Sequence, residues 1–275
     1  MARTLADCAV LMTSLARRPV GPTPWASAAA PLPRFPTRAA TSVLPLAGKR
    51  IALTDRNAGC HMDDDVAKGL DRARQCLTEL GAEIVTLSAP ATLAGSDYDT
   101  ILLAEARSYH RRYAHLRDQY RGSTRDFLDH DAPELSVEKY LAAQSRRVDV
   151  TRSWLRWFHR HRVDGVLEPT TAVTAPERGH GYDPGEAIGE SDPLTLFTAL
   201  WNATGFPVAT LPAGLGTRSG LPVSVSVITA QGKDDAAFEM GIALQHCCLP
   251  PLAMTAAEAS DPVDEPGISR GVSDG

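Results

Sequence analysis

Long apolar runs are missing from this 275-residue sequence. None approaches the roughly 18 consecutive apolar residues that a membrane-spanning helix needs, so no membrane partner is expected. The opening MARTLADCAVLMTSLARRP is partly apolar, but Asp7 interrupts it and Arg17 and Arg18 follow it, the wrong order for a secretory signal. Cysteine is scarce: Cys8, Cys60, Cys76, Cys247 and Cys248 form an odd, scattered set with no C-x-x-C pair. Such a set reads as reduced thiols in a cytoplasm. It carries no zinc-binding spacing, so no metal ligands are assigned. Excess positive charge is also missing. The net charge of -5 gives no electrostatic reason for a nucleic-acid partner. No G-x-G-x-x-G follows a strand, which removes the main reason to expect a dinucleotide, and no cofactor is expected.

What remains is an ordinary soluble α/β mixture, 43% hydrophobic and 22% charged. Thr4 and Asp7 resemble a capping box. Behind them Leu5, Cys8, Ala9, Met12, Leu15 and Ala16 recur at helical spacing, a face that must pack against something. Residues 19–47 hold seven prolines and read as a connecting segment. Residues 48–90 then read as strand, helix, strand. LAGKRIALTD supplies the first strand, Val66, Leu70, Ala73, Leu77 and Leu80 one helical face, Gly81 the residue past the helix end, and GAEIVTL the second strand. Such a βαβ unit implies a parallel pair.

Further on, the spacing predicts a helix over 98–120 with Leu102, Ala106, Tyr109, Tyr113 and Leu116 inward, and a polar loop at GSTRDFLDHDAPEL. A second helix runs from an N-cap at Ser136 to about His161, and a short buried strand lies at VDGVLEPT. Residues 171–192 read as a long loop. A short helix, two strands joined by GLGTRSG, and a last helix with Ala237, Met240, Leu244 and Cys247 on one side complete the pattern. Residues 251–275 read as a disordered tail.

Local motifs offer little chemistry. Gly267-Ile268-Ser269-Arg270-Gly271 matches G-x-S-x-G, but a nucleophile elbow needs a strand before the serine and a helix after it, and this one falls in the tail. The acids of HMDDD, His61 to Asp65, are sufficiently explained by the helix macrodipole. His159 and His161 alternate with arginines at a helix end without a ligand companion.

The stretch LTLFTALWNATGFPVATLPAGLGTRSGLPVSVSVI, Leu194 to Ile228, carries more. Asn202, Gly205, Pro207, Pro212 and Gly214, then Gly220, Leu221, Pro222 and Val223, resemble the N-x-T/A-G-[LF]-P-x-x-x-[LV]-P-x-G and G-L-P-V signatures of the amidase signature family. LTELGAEIVTLSAP, DYDTILLAEARSYHRRY and VDGVLEPTTAVTAPE resemble further family segments in the family's order. Met1-Ala2-Arg3-Thr4 resembles the end of its G-P-M-A-R-T stretch. The resemblance covers about residues 1–250 and implies an α/β fold: a mixed β-sheet flanked by helices, the C-terminal part of the amidase fold and incomplete, with residues 251–275 as a tail.

That family is made of hydrolases with a Ser–Ser–Lys triad, in which a lysine works through a bridging serine on a nucleophilic serine in a Gly/Ser-rich segment. No such segment occurs here, and neither Lys49 nor Lys68 lies in the family's lysine context. The resemblance therefore implies no catalytic residue in this chain. By position it implies substrate-pocket residues at Thr170, Thr171, Thr198, Trp201 and Asn202, although a buried Trp201 suits a core role better than a contact. Ser224 and Ser226 replace the family's Gly and Gln after G-L-P-V, and Thr195 replaces an acid common in amidotransferase members; both departures argue against a role in an amidotransferase. Two expectations follow. The chain is either an amidase lacking its catalytic part and inactive alone, with a small amide substrate only when that part or a complementing polypeptide is present, or a non-catalytic binding module on the same scaffold. A nucleotide-binding βαβ protein is a third, without a phosphate loop to support it.

Overall fold

A computed structural model of the chain describes residues 1–16, 35–38, 40–56, 58–129, 135–177 and 192–248. The expected tail, the G-x-S-x-G match and most of the proline-rich segment lie outside these residues.

Helix α1 (Leu5–Leu15) comes first. Strand β1 (Arg50–Thr54), helix α2 (Asp64–Glu79) and strand β2 (Glu83–Leu87) form the expected βαβ unit, with β1 and β2 parallel and Arg50 opposite Glu83. Gly81 sits past the end of α2 at φ +94°, a conformation that side chains with a Cβ rarely adopt. Helix α3 (Gly95–His110) leads into a 3-10 segment at Arg111–Gln119, then α4 (Gly122–Asp129), α5 (Val137–His161) and β3 (Gly165–Pro169). The short α6 (Ala199–Thr204), strands β4 (Val208–Leu215) and β5 (Pro222–Ile228), and α7 (Asp234–Cys248) follow.

The five strands form one mixed sheet in the order β2-β1-β3-β5-β4. The β1–β3 pair is parallel, whereas β5 runs antiparallel to both β3 and β4. GLGTRSG closes the β4–β5 hairpin, flanked by Gly214 and Gly220 at positive φ. Side chains alternate between the faces of the sheet. Ile51, Leu167, Val225 and Val227 join Leu5, Leu77, Met240 and Leu244 from α1, α2 and α7. Their neighbours Ala52, Val166 and Ile228 join Trp154, Trp157, Phe158, Leu200, Trp201 and Phe206 from α5, α6 and their flanks. The sheet is therefore covered on both faces, which explains why β3 is buried at every residue, Glu168 included.

Two register pairs join β1 to β3, Ile51 with Gly165 and Ala52 with Val166. Side chains staple this short seam at both ends. At one end Asp164 Oδ2 accepts from the Arg50 amide at 2.8 Å and the Arg50 guanidinium donates to the His161 carbonyl. At the other end stands the Arg56–Glu168 pair described below.

Several sequence expectations need correction. In α1, Leu5 and Ala9 are buried against α7, and the Leu5 amide donates to Gln245 Oε1 at 2.9 Å. Only this part of the face expected to pack is buried. Val10, Leu11, Met12 and Leu15 are the exposed apolar residues. Thr4 caps the Asp7 amide as expected, but the Asp7 carboxylate takes the Thr4 hydroxyl at 2.7 Å.

The expected 98–120 helix breaks after His110, where Tyr113 leaves helical geometry. Its inward residues are Asp97, Ile101 and Leu103, while Leu102 and Tyr109 are exposed. Asp97 sets that rotation through its ion pair with Arg146 of α5. The loop expected at GSTRDFLDHDAPEL begins with α4 instead, because Leu128 is buried and its carbonyl accepts from Arg107 Nε at 2.8 Å. The Ser136 cap and the end of α5 at His161 stand as expected.

Candidate functional site

Parallel β1 and β3 bring their carboxyl ends to one rim, the usual place for ligand chemistry in α/β sheets. Arg56, just past β1, and Glu168, near the end of β3, meet there as a two-pronged ion pair: Nε to Oε1 at 3.0 Å and Nη2 to Oε2 at 2.6 Å. Both side chains are almost fully buried, 4% and 5% exposed. A buried pair is tolerated only when its remaining polar positions are filled. Here Trp201 Nε1 donates to Glu168 Oε2 at 2.8 Å, and the guanidinium reaches the Leu196 and Phe197 carbonyls. The cation also lies over the Phe197 and Trp201 rings, 5.8 and 5.2 Å from their centroids.

Beyond Glu168 and Pro169 the chain turns along the rim. The Thr170 amide donates to the Ser224 carbonyl at 3.1 Å, and its hydroxyl lies 3.0 Å from Ser226 Oγ. Ser226 Oγ is also 3.1 Å from Thr210 Oγ1, so three hydroxyls run in a row from the end of β3 across β5 to β4. Thr171 Oγ1 donates to the Val173 carbonyl at 2.8 Å.

The start of α2 closes the next side. Asp63 Oδ2 accepts from the amide and the hydroxyl of Thr174, at 2.9 and 3.1 Å. Asp65 is buried and receives the turn between β4 and β5: the Ser219 amide at 2.9 Å, the Ser219 hydroxyl at 2.8 Å, the Arg218 amide and the Thr217 hydroxyl. These donors, the Ser219 amide first, hold its carboxyl far below the ordinary value of 3.8. An open cavity of about 390 Å³ lies between, lined by Asp63, Asp64, Asp65, Thr174, Arg218 and Ser219.

Of the residues expected at a pocket, Thr170 and Thr171 sit half-buried on the rim at the end of β3. Thr198 is half-buried beside Phe197, its hydroxyl donating to the Thr195 carbonyl at 3.2 Å. Trp201 is 3% exposed and its indole N–H is taken by Glu168. Asn202 is exposed on the outer side of α6. Four of the five therefore gather around the end of β3, and Asn202 faces away from them.

Sequence reasoning missed Arg56 and Glu168, and read Ser226 only as a departure from the family pattern and Asp65 only as a helix-dipole acid. Glu168 did leave a signal: an acid inside the apolar run VDGVLEPT requires a buried partner. The acids of HMDDD do more than answer a helix dipole, since Asp63 and Asp65 each hold a loop. Lys49 pairs with Glu239 at 3.1 Å and Lys68 donates to Thr217 at 3.2 Å, so each lysine has a structural partner.

A mixed sheet covered on both faces, with a polar rim where its parallel strands end, defines an α/β protein with a candidate site at the sheet's carboxyl edge. Comparison with known proteins narrows this class. The family model described as Amidase matches residues 1–238, and the chain belongs to that family. It is 29% identical to a glutamyl-tRNA(Gln) amidotransferase subunit of Streptomyces avermitilis, over 89% of this chain and 52% of that protein. It is likewise 29% identical to the subunit of the same name from Solidesulfovibrio magneticus, over 94% and 56%.

Among solved structures it resembles 6-aminohexanoate cyclic dimer hydrolase, with a TM-score of 0.66 at 19% identity over 90% of this chain and 54% of that one. It also resembles the corresponding glutamyl-tRNA(Gln) amidotransferase subunit of Thermotoga maritima, with a TM-score of 0.60 at 22% identity over 88% and 51%. These structural likenesses describe the fold. The chain spans about half the length of the curated relatives it matches.

Proposed function

We propose that this chain supplies one half of an amide-hydrolysing enzyme. It contributes part of the sheet and a wall of the substrate site, while the nucleophile, bridging serine and lysine come from further polypeptide, joined to it or complementing it. One observation carries this reading. The chain belongs to the Amidase family and spans about half of its relatives, yet its sequence contains no Gly/Ser-rich segment that could hold a serine nucleophile.

In this reading residues 1–250 form a partial amidase domain of a cytoplasmic protein and residues 251–275 its tail. Thr170, Thr171 and Thr198 line the site beside the Ser226 hydroxyl. Trp201 acts from beneath by fixing Glu168, and Asn202 meets the complementing polypeptide rather than the substrate. The exposed apolar residues of α1, Val10, Leu11, Met12 and Leu15, offer that polypeptide a docking surface. The departures at Thr195, Ser224 and Ser226 favour hydrolysis of a small amide over ammonia transfer.

The purified 275-residue chain is expected to turn over no aryl amide, and to gain turnover when a polypeptide carrying the Gly/Ser-rich segment and its lysine is added. Turnover by the chain alone, abolished by replacing one of its serines, overturns the reading. Cooperative unfolding of the chain alone, combined with failed complementation, favours a non-catalytic binding module on the same scaffold.

A further inference from the structure

Away from the rim, α2 and the end of α7 bring together a cluster that neither the fold nor the proposed reaction uses. Cys76 and Glu79 stand at i and i+3 on α2, hence on one helical face. Cys247 stands in the last turn of α7, with Cys248 beside it. The donor atoms of Cys76, Glu79 and Cys247 all lie within 4.8 Å of one another, and Cys247 Sγ is 3.8 Å from Glu79 Oε2.

We propose that Cys76, Glu79 and Cys247 form a binding site for a thiophilic d10 cation, zinc(II) in the first instance, with a solvent molecule as the fourth donor. The distances suit that ion. Zinc–sulfur bonds of about 2.3 Å and zinc–oxygen bonds of about 2.1 Å at tetrahedral angles put sulfur atoms ~3.8 Å apart and sulfur and oxygen ~3.6 Å apart. The Cys247–Glu79 separation is already close to this, so closing the site calls for side-chain rotations rather than movement of the helices. Each thiol gives its proton to solvent as its sulfur–metal bond forms.

The surroundings agree. Cys76 and Cys247 are half-buried while Glu79 is exposed, so the sulfurs are sheltered and the ion enters past the carboxylate. A bound ion would tie α7 to the βαβ unit across the core they share.

The test uses the full, reduced chain. Cobalt(II) is expected to give sulfur-to-metal charge-transfer absorption and tetrahedral visible bands, both removed by one equivalent of zinc(II). Cys76→Ser or Cys247→Ser should each lower zinc affinity by more than the roughly 10–100-fold that losing an outer-shell partner costs. Cys8→Ser and Cys60→Ser should leave it unchanged. A second measurement needs no variant and stays decisive if a serine variant misfolds: zinc(II) should slow alkylation of Cys76 and Cys247 in the native chain, read by peptide mass, and leave Cys8 and Cys60 at their metal-free rates. Absent charge-transfer bands, equal alkylation with and without zinc, or a Cys76–Cys247 disulfide that forms regardless of zinc would each overturn the proposal.

Discussion

Glu168 answers to two donors that approach from different elements, the Arg56 fork and the Trp201 indole, and the consequences of removing each differ. Glu168→Ala leaves a guanidinium buried without its counter-charge and is expected to destabilise the chain by about 3–5 kcal/mol. Trp201→Phe removes one donor from a carboxylate that keeps its cation, at a cost of about 1–3 kcal/mol. Urea unfolding of both variants checks the order, and an equal loss in the two would contradict it. The same residues show what could be read from the sequence. Thr170 and Thr171 could be singled out only because the chain around them resembles a known segment. Arg56 could not, because its partner lies 112 positions away and only the parallel pairing of β1 with β3 makes them neighbours.

Asp65 ties helix α2 to the turn of the β4–β5 hairpin, beside the bonds that Lys68 makes to Thr217 and Arg72 to the Ala213 carbonyl, and the Asp65 tie depends on pH. The folded-state pKa lies below the ordinary 3.8, whereas the unfolded chain titrates near the usual value of about 3.9. In acid the unfolded chain therefore binds more protons, and stability rises with pH. The contribution is fully present above about pH 5 and declines as pH falls through the folded-state value. Asp65→Asn is expected to flatten the acid limb of stability against pH, measured by urea unfolding at successive pH values; an unchanged slope rules the tie out.

Periodicity revealed these elements unevenly. Helices α2 and α7 were legible because their apolar positions repeat at helical spacing, and α5 because Ser136 caps it locally. In α3 the inward-facing Asp97, paired with the exposed Arg146, sets which face turns inward, and hydrophobic spacing cannot register that. Helix α4 reads as polar loop because it buries little more than Leu128. The thiol cluster escaped for a related reason: zinc-like spacing is sought within one stretch of chain, and these donors meet across two helices.

At the scale of the molecule, the mixed sheet was only half legible. The βαβ unit and the β4–β5 hairpin announce themselves through local signals, but nothing local says that β3 joins them. This has a consequence for how the chain reaches its native state. Each of those two units closes over a short stretch, whereas β3 meets β1 only when residues 114 positions apart, Arg50 and Asp164, come together. The entropy of closing a loop of that length is lost before its contacts return anything, so the seam forms late. With two register pairs it is also the natural line of sub-global opening between two cooperative units. Native-state hydrogen exchange is expected to show the amides of β1 and β3 opening at lower free energy than those paired between β4 and β5, with Glu168→Ala widening the gap. Uniform protection across the sheet would show instead that the five strands open as one. If the seam does part first, the sheet behaves as two hinged plates, and anything that grips both sides of it governs how long the chain survives proteolysis.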